Sequence, residues 1–189
     1  MAGYRLDPLR WASTAPVHDV TIELRCGPQP VEPWRALQPL ADRLFAHADA
    51  SKSSVLVGQD YVFRACPPQP VRFQYLMRRR ADLTHEAYAK HYSEVHSRFG
   101  YKTRGVEGYA QFHVDPAASS RAARLLGLDT IEVDGVSQLY LRSLGRFLLA
   151  TPINATIGAG RDERNFVGAS AMLTSRVIAS AGPAAEALR

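Results

Sequence analysis

Three of the chain's six histidines fall in one short stretch, LTHEAYAKHYSEVHSRFG, at 83–100. An imidazole has an ordinary pKa near ~6.5, so it can exchange protons close to neutral pH, and convergent imidazoles can hold a metal. Spacing separates these uses. His85, His91 and His96 do not follow the i, i+4 spacing that stacks two ligands on one helical face, so no metal site is expected. On a helical wheel Tyr88, Val95 and Phe99 form the buried stripe, with Tyr92 about 40° and His96 about 80° from its centre. A histidine at that edge sits where a helix meets a cavity wall, neither solvated nor deep in the core. It suits a general base; the bland alternative is a boundary histidine bonded to a backbone carbonyl. Tyr92, nearer the stripe, could donate to a developing oxyanion. His85 and His91 are expected at the surface.

The strand EGYAQFHVD at 107–115 carries a second set. Alternation puts Tyr109, Gln111 and His113 on one face and Gly108, Ala110, Phe112 and Val114 on the other. The apolar set suits packing under helices. The polar set is then expected on an open sheet face, where a cavity holding a ligand removes the cost of burying unpaired polar groups. His113 joins His96 and Tyr92 as a candidate catalytic residue, and Tyr109 and Gln111 could bind or orient a carbonyl or phenol. Phe73, Tyr75, Phe112 and Phe166 could wall a ring.

These residues need elements to hold them. Thr84 is a plausible helix N-cap with Leu83 before it. VRFQYLMR at 71–78 alternates as a strand, the histidine helix spans 84–99, and strands are expected at 107–115 and 131–141. Short helices are expected at 119–128 and 143–153, and a last strand falls within 161–178. The core order is β-α-β-β-α-β, the ferredoxin-like split βαβ. Upstream, 17–26 reads as a strand, 32–49 as a helix with Pro33 in its first turn and Pro39 bending it, and 53–66 as two short strands. The expected organisation is an incomplete ferredoxin-like unit over 1–66, a linker PPQP at 67–70, a complete unit over 71–178 and a flexible tail at 179–189.

Composition narrows the classes. The net charge of +5 could suit nucleic acid, but the one dense basic run, Arg78-Arg79-Arg80, lacks interleaved aromatics, so no nucleic-acid partner is expected. No apolar run is long enough to span a membrane and the N-terminus has no signal-like apolar stretch, so a cytoplasmic protein is expected. Cys26 and Cys66 lack metal spacing and are expected to be unpaired thiols in a reducing compartment. GAGRDE at 158–163 follows a helix-like segment rather than a strand, so it is not a nucleotide loop.

The helix and strand together, LTHEAYAKHYSEVHSRF followed by GVEGYAQFHV, resemble the EthD family, as do DGVSQLYLRSLGRFLLATP and RDERNFV further on. The resemblance covers about 71–178. It implies an α+β fold in which ferredoxin-like units form a dimeric α+β barrel, hence a homodimer, with pockets between the sheets. It also implies cofactor-free chemistry on a hydrophobic cyclic or aromatic intermediate. Isomerisation, cyclisation or decarboxylation, the work of an isomerase or lyase, is expected, with His96 as general base. A non-catalytic carrier and a cofactor-independent oxygenase are the alternatives. The text HSRFGYKTRGVEGY lacks the prolines usual in that family's loop, so the pocket mouth is expected to differ.

Overall fold

The computed structural model describes residues 2–6, 20–25 and 32–179. In chain order these form β1 (Ala2–Leu6), β2 (Val20–Glu23), α1 (Gln38–Phe45), β3 (Gly58–Arg64) and β4 (Val71–Arg79). The histidine helix follows as α2 (His85–His91), a π-helical turn (Tyr92–His96) and α3 (Ser97–Lys102). Then come β5 (Gly108–Val114), α4 (Pro116–Leu126), β6 (Gly135–Leu141), the short helices α5 (Leu144–Leu149), α6 (Thr151–Asn154) and α7 (Ala159–Glu163), and β7 (Val167–Ala179).

The central strands run β7-β4-β6-β5, every neighbouring pair antiparallel. This is the ferredoxin-like order, with one helical connection between β4 and β5 and a broken one between β6 and β7. The strands of the N-terminal unit expected over 1–66 join this same sheet. β3 pairs with β5 and β1 pairs with β7 and β2, giving β2-β1-β7-β4-β6-β5-β3. Unpaired N–H and C=O groups on β5 and β7 find partners that way. The linker at 67–70 is also tied in, since Pro70 O accepts from Val177 N at 2.9 Å. The second strand expected within 53–57 is instead irregular chain, held where Val55 N donates to Asp129 O at 3.0 Å. Residues 17–19, Cys26 and the tail beyond Ala179 lie outside the described residues.

Local rules explain the element ends. Thr84 Oγ1 accepts from Ala87 N at 3.1 Å, the expected cap of α2. Pro33 starts a 3-10 turn over Pro33–Leu37, and Pro39 falls in the first turn of α1, where its missing N–H costs nothing. Asp115 caps α4 by accepting from Ala118 N at 2.8 Å.

Two faces result. On the helix face, Met77, Tyr88, Tyr92 and Phe166 form a fully buried cluster; removing each such side chain from water is worth ~2–3 kcal/mol. On the opposite face, Leu76, Val136, Ala171 and Leu173 pack with Phe112. The helix lies flush on the sheet because glycines leave room. A Cβ on Gly135 would stand 2.6 Å from the Tyr88 hydroxyl, and one on Gly100 would stand 2.0 Å from the Tyr109 ring.

The assignment of faces reverses the expectation for β5. Tyr109 and Gln111 lie under the helix, and Phe112 packs on the other side. The polar side chains are accepted there because they bond one another and the helix backbone, which cancels the burial cost that argued against it. Among the described residues no helix is long and apolar enough to cross a membrane.

Candidate active site

The π-helical turn rearranges the histidine helix. Its wider winding makes later residues lag behind an ideal α-helical wheel. His96 therefore turns into the core at 5 % exposure, alongside Tyr92 at 0 %, whereas Val95, expected in the stripe, is only half-buried. The same turn brings His91 and His96 onto one side although they are not spaced i, i+4. Both reach Asp162, in α7. His96 Nδ1 lies 2.9 Å from Asp162 Oδ2, and His91 Nε2 lies 3.2 Å from both carboxylate oxygens. His85 pairs with a different carboxylate, its Nδ1 3.0 Å from Asp134 Oδ1. Neither His85 nor His91 is the free surface residue expected.

Charge follows burial. Burial pushes His96 below the ordinary imidazole value, outweighing the opposing pull of Asp162 and Glu163. His96 is then neutral near pH 7, with Nδ1–H donated to the carboxylate and Nε2 carrying the lone pair. Burial acts to raise Asp162, but hydrogen bonds from His96 and His91 outweigh it and keep the group a carboxylate. The Nε2 side of His96 looks toward Glu163, whose Oε1 is 3.9 Å away. Tyr75 stands beyond, its hydroxyl 3.2 Å from Glu163 Oε2 and 2.9 Å from Ser170 Oγ. Glu163 and Tyr75 are half-buried and Ser170 is exposed, so this edge of the cluster meets solvent. Phe166 is fully buried beneath, its ring centroid 4.8 Å from His91 and 5.0 Å from His96. It is the floor of the histidine pair, not a wall of an open pocket.

The other candidates form a second cluster. Tyr92's hydroxyl bonds Ser137 Oγ at 2.9 Å, and burial holds the phenol far above its usual pKa. Gln111 spends its amide completely: Nε2 donates to Tyr92 O at 2.8 Å and to Tyr109 Oη at 2.7 Å, and Oε1 meets His113 Nε2 at 3.0 Å. Burial raises Tyr109 to about 12 and lowers His113 to about 4. The His113 ring stacks on Tyr92 with centroids 4.9 Å apart. Phe73 lies to the side against Phe147, 5.2 Å between centroids. The structure thus brings His96 and Tyr75 together at one half-open edge, and locks Tyr92, Tyr109, Gln111 and His113 into a network beneath the helix.

Three acidic residues and a serine carry the arrangement without having been singled out by the sequence. Asp162 and Glu163 stand in the RDERNFV segment, far along the chain from the histidines. Asp134 accepts from Arg79 N at 2.8 Å and pairs with the Arg79 guanidinium and His85, tying the end of β4 to the start of α2. Ser137 fixes Tyr92.

Residues 80–170 match the family model described as the EthD domain. The chain carries an EthD domain. No curated protein matches the chain. The matched span holds the histidine helix, Asp134, Asp162, Glu163 and the β5 network; Phe73, Tyr75 and Arg79, all on β4, precede it. Among the described residues no group of three or more His, Cys, Asp or Glu side chains is placed to hold a metal ion.

Proposed function

We propose that the EthD domain catalyses cofactor-free proton transfer on a hydrophobic cyclic or aromatic intermediate, with His96 as general base. One observation carries the reading: His96 Nδ1 is bonded to Asp162 at 2.9 Å, which leaves Nε2 as the free, unprotonated nitrogen on the side of Glu163 and Tyr75. A carboxylate behind an imidazole fixes its tautomer and stabilises the imidazolium formed when it takes a proton. In an isomerisation, Nε2 would take a proton from a carbon next to a carbonyl and return it to a second carbon, with no net change in protons. Tyr75, at the rim, is suited to donate to the carbonyl oxygen as charge develops on it. Tyr92, Gln111 and His113 hold the sheet and helix in register behind the base. The homodimer belongs to the same reading. Leu148, Leu149 and Ile153, exposed on α5 and α6, offer apolar surface to a second copy.

Deuterium exchange tests the chemistry without knowledge of the true substrate. Cyclic unsaturated lactones and ketones incubated with the protein in D₂O should gain deuterium at acidic carbons. His96→Ala should slow this by roughly 10²-fold or more, the usual scale for a general base. Equal exchange with both proteins would overturn the role of His96. No exchange, but a raised melting temperature with such compounds, would replace the enzyme by a carrier.

A further inference from the structure

The opposite sheet face holds a cavity of about 290 Å³ that the His96 cluster does not touch. This is near the small end of the ~300–1,000 Å³ range of small-molecule sites. Leu76, Phe112, Val136 and Leu173 give its floor an apolar patch; the rest of the lining comes from 20–25, 53–56 and Ile131, with the polar Asp60, Gln74 and Gln138. Residues 20–23 are β2, the outermost strand on one side, and just beyond it Arg25 Nε reaches Asp60 Oδ2 on β3, the outermost strand on the other, at 3.1 Å. The sheet therefore curls around this face within one chain.

Gln74 projects from β4 into this region and is 6 % exposed. Its Nε2 donates to Glu23 Oε1 at 3.3 Å, which fixes the amide, since the flipped orientation would set two oxygens against each other. Its Oε1 is buried and has no partner among the described residues. A buried acceptor left unpaired costs roughly 1–3 kcal/mol. The neighbouring polar groups are committed to each other. Gln138 Nε2 donates to Asp60 Oδ1 at 3.1 Å, and Gln138 Oε1 accepts from Arg72 at 3.1 Å.

We propose that this cavity is a second ligand site, which takes a neutral, mainly apolar molecule of one or two rings bearing a single N–H or O–H donor that bonds Gln74 Oε1. The apolar floor selects the rings. The open acceptor selects a donor, and the charges nearby already balance, Arg25 against Asp60 and Arg72 against Glu23, which suits a neutral molecule.

Indole and benzofuran test this by calorimetric titration, because benzofuran is the same bicycle with a ring oxygen in place of the N–H. The protein should bind indole about 5-fold more tightly than benzofuran, the value of one hydrogen bond. Gln74→Met should remove that preference and leave benzofuran unchanged; it deletes the unpaired acceptor together with the 3.3 Å bond to Glu23, which keeps Arg72 within 3.8 Å. Ile131→Trp, at the half-buried rim, should weaken both at least 10-fold, and His96→Ala should change neither. The proposal is overturned if indole does not bind at millimolar concentration. It is also overturned if the two bind equally, as they would if an ordered water served Gln74. Survival of the preference in Gln74→Met, or unchanged binding of both in Ile131→Trp, would place the ligand elsewhere.

Discussion

The two faces of the sheet differ in how completely they satisfy buried polar groups around their sites. Under the helix, Tyr92, Tyr109, Gln111, Ser137, His96 and Asp162 are all buried and all bonded. On the other face, Gln74 Oε1 and Ser175 Oγ are buried without partners among the described residues, and a cavity adjoins the first. Among the described residues the helix face has one such atom, the Tyr88 hydroxyl, pressed against Gly135 where a Cβ would not fit. A satisfied network is rigid and aims its members, which is what a base needs. An unsatisfied acceptor is free to be completed by something else, which is what a binding site needs. In the proposed roles, one sheet separates positioning from reception.

The largest break in this contrast comes from the core of the helix face. Tyr88→Ala should destabilise the protein by ~3–5 kcal/mol in denaturant unfolding, because Tyr88 is fully buried against Tyr92 and Phe166. A loss below ~1 kcal/mol would mean that the helix does not rest on this cluster.

A pair of serines sharpens the comparison. Ser137→Ala leaves the buried Tyr92 hydroxyl without its partner and should cost roughly 1–3 kcal/mol. Ser175→Ala removes a hydroxyl that has no partner, so stability should hold within about 0.5 kcal/mol or rise. Equal losses from the two would erase the difference between the faces.

The smallest effect is a slope with pH. His113 titrates near 4 in the folded protein, against ~6.5 in the unfolded chain. Between those values the unfolded chain binds the proton first. Stability is therefore complete above about pH 6.5, declines as pH falls toward 4, and gains no further loss from this group below it. His113→Gln keeps a donor for Gln111 and should flatten part of that decline when urea midpoints are compared between pH 7 and 4.5. An unchanged slope would mean that burial does not hold His113 neutral.

Much of the fold was legible because it depends on local rules. The strand-helix-strand order and the Thr84 cap each follow from a few adjacent residues, whereas Pro39, expected to bend a longer helix, instead sits in the first turn of α1. The His96 position was legible only as an edge. The π-helical turn that moves it inward is a change of backbone hydrogen bonding, and a wheel built on a fixed 3.6-residue period cannot register it. Asp162 was hidden by distance along the chain, since nothing near RDERNFV says which helix it will face. The face of β5 was misjudged for a different reason. Apolar residues were expected to mark the covered side, but Tyr109, Gln111 and His113 satisfy each other, so the polar side could be covered as well. Burial cost depends on partners, and partners from separate segments are what the sequence leaves unstated.

The proposed proton transfer depends on the state of one imidazole. Nitrogen-resolved NMR of His96, assigned with His96→Gln, reads it directly at pH 7. The structure requires a neutral ring protonated on Nδ1 and bare on Nε2, with a pKa below ~6.5, and a loss of that fixed tautomer in Asp162→Asn. A proton on Nε2, or an imidazolium at pH 7, would contradict the assignment of His96 as an oriented base.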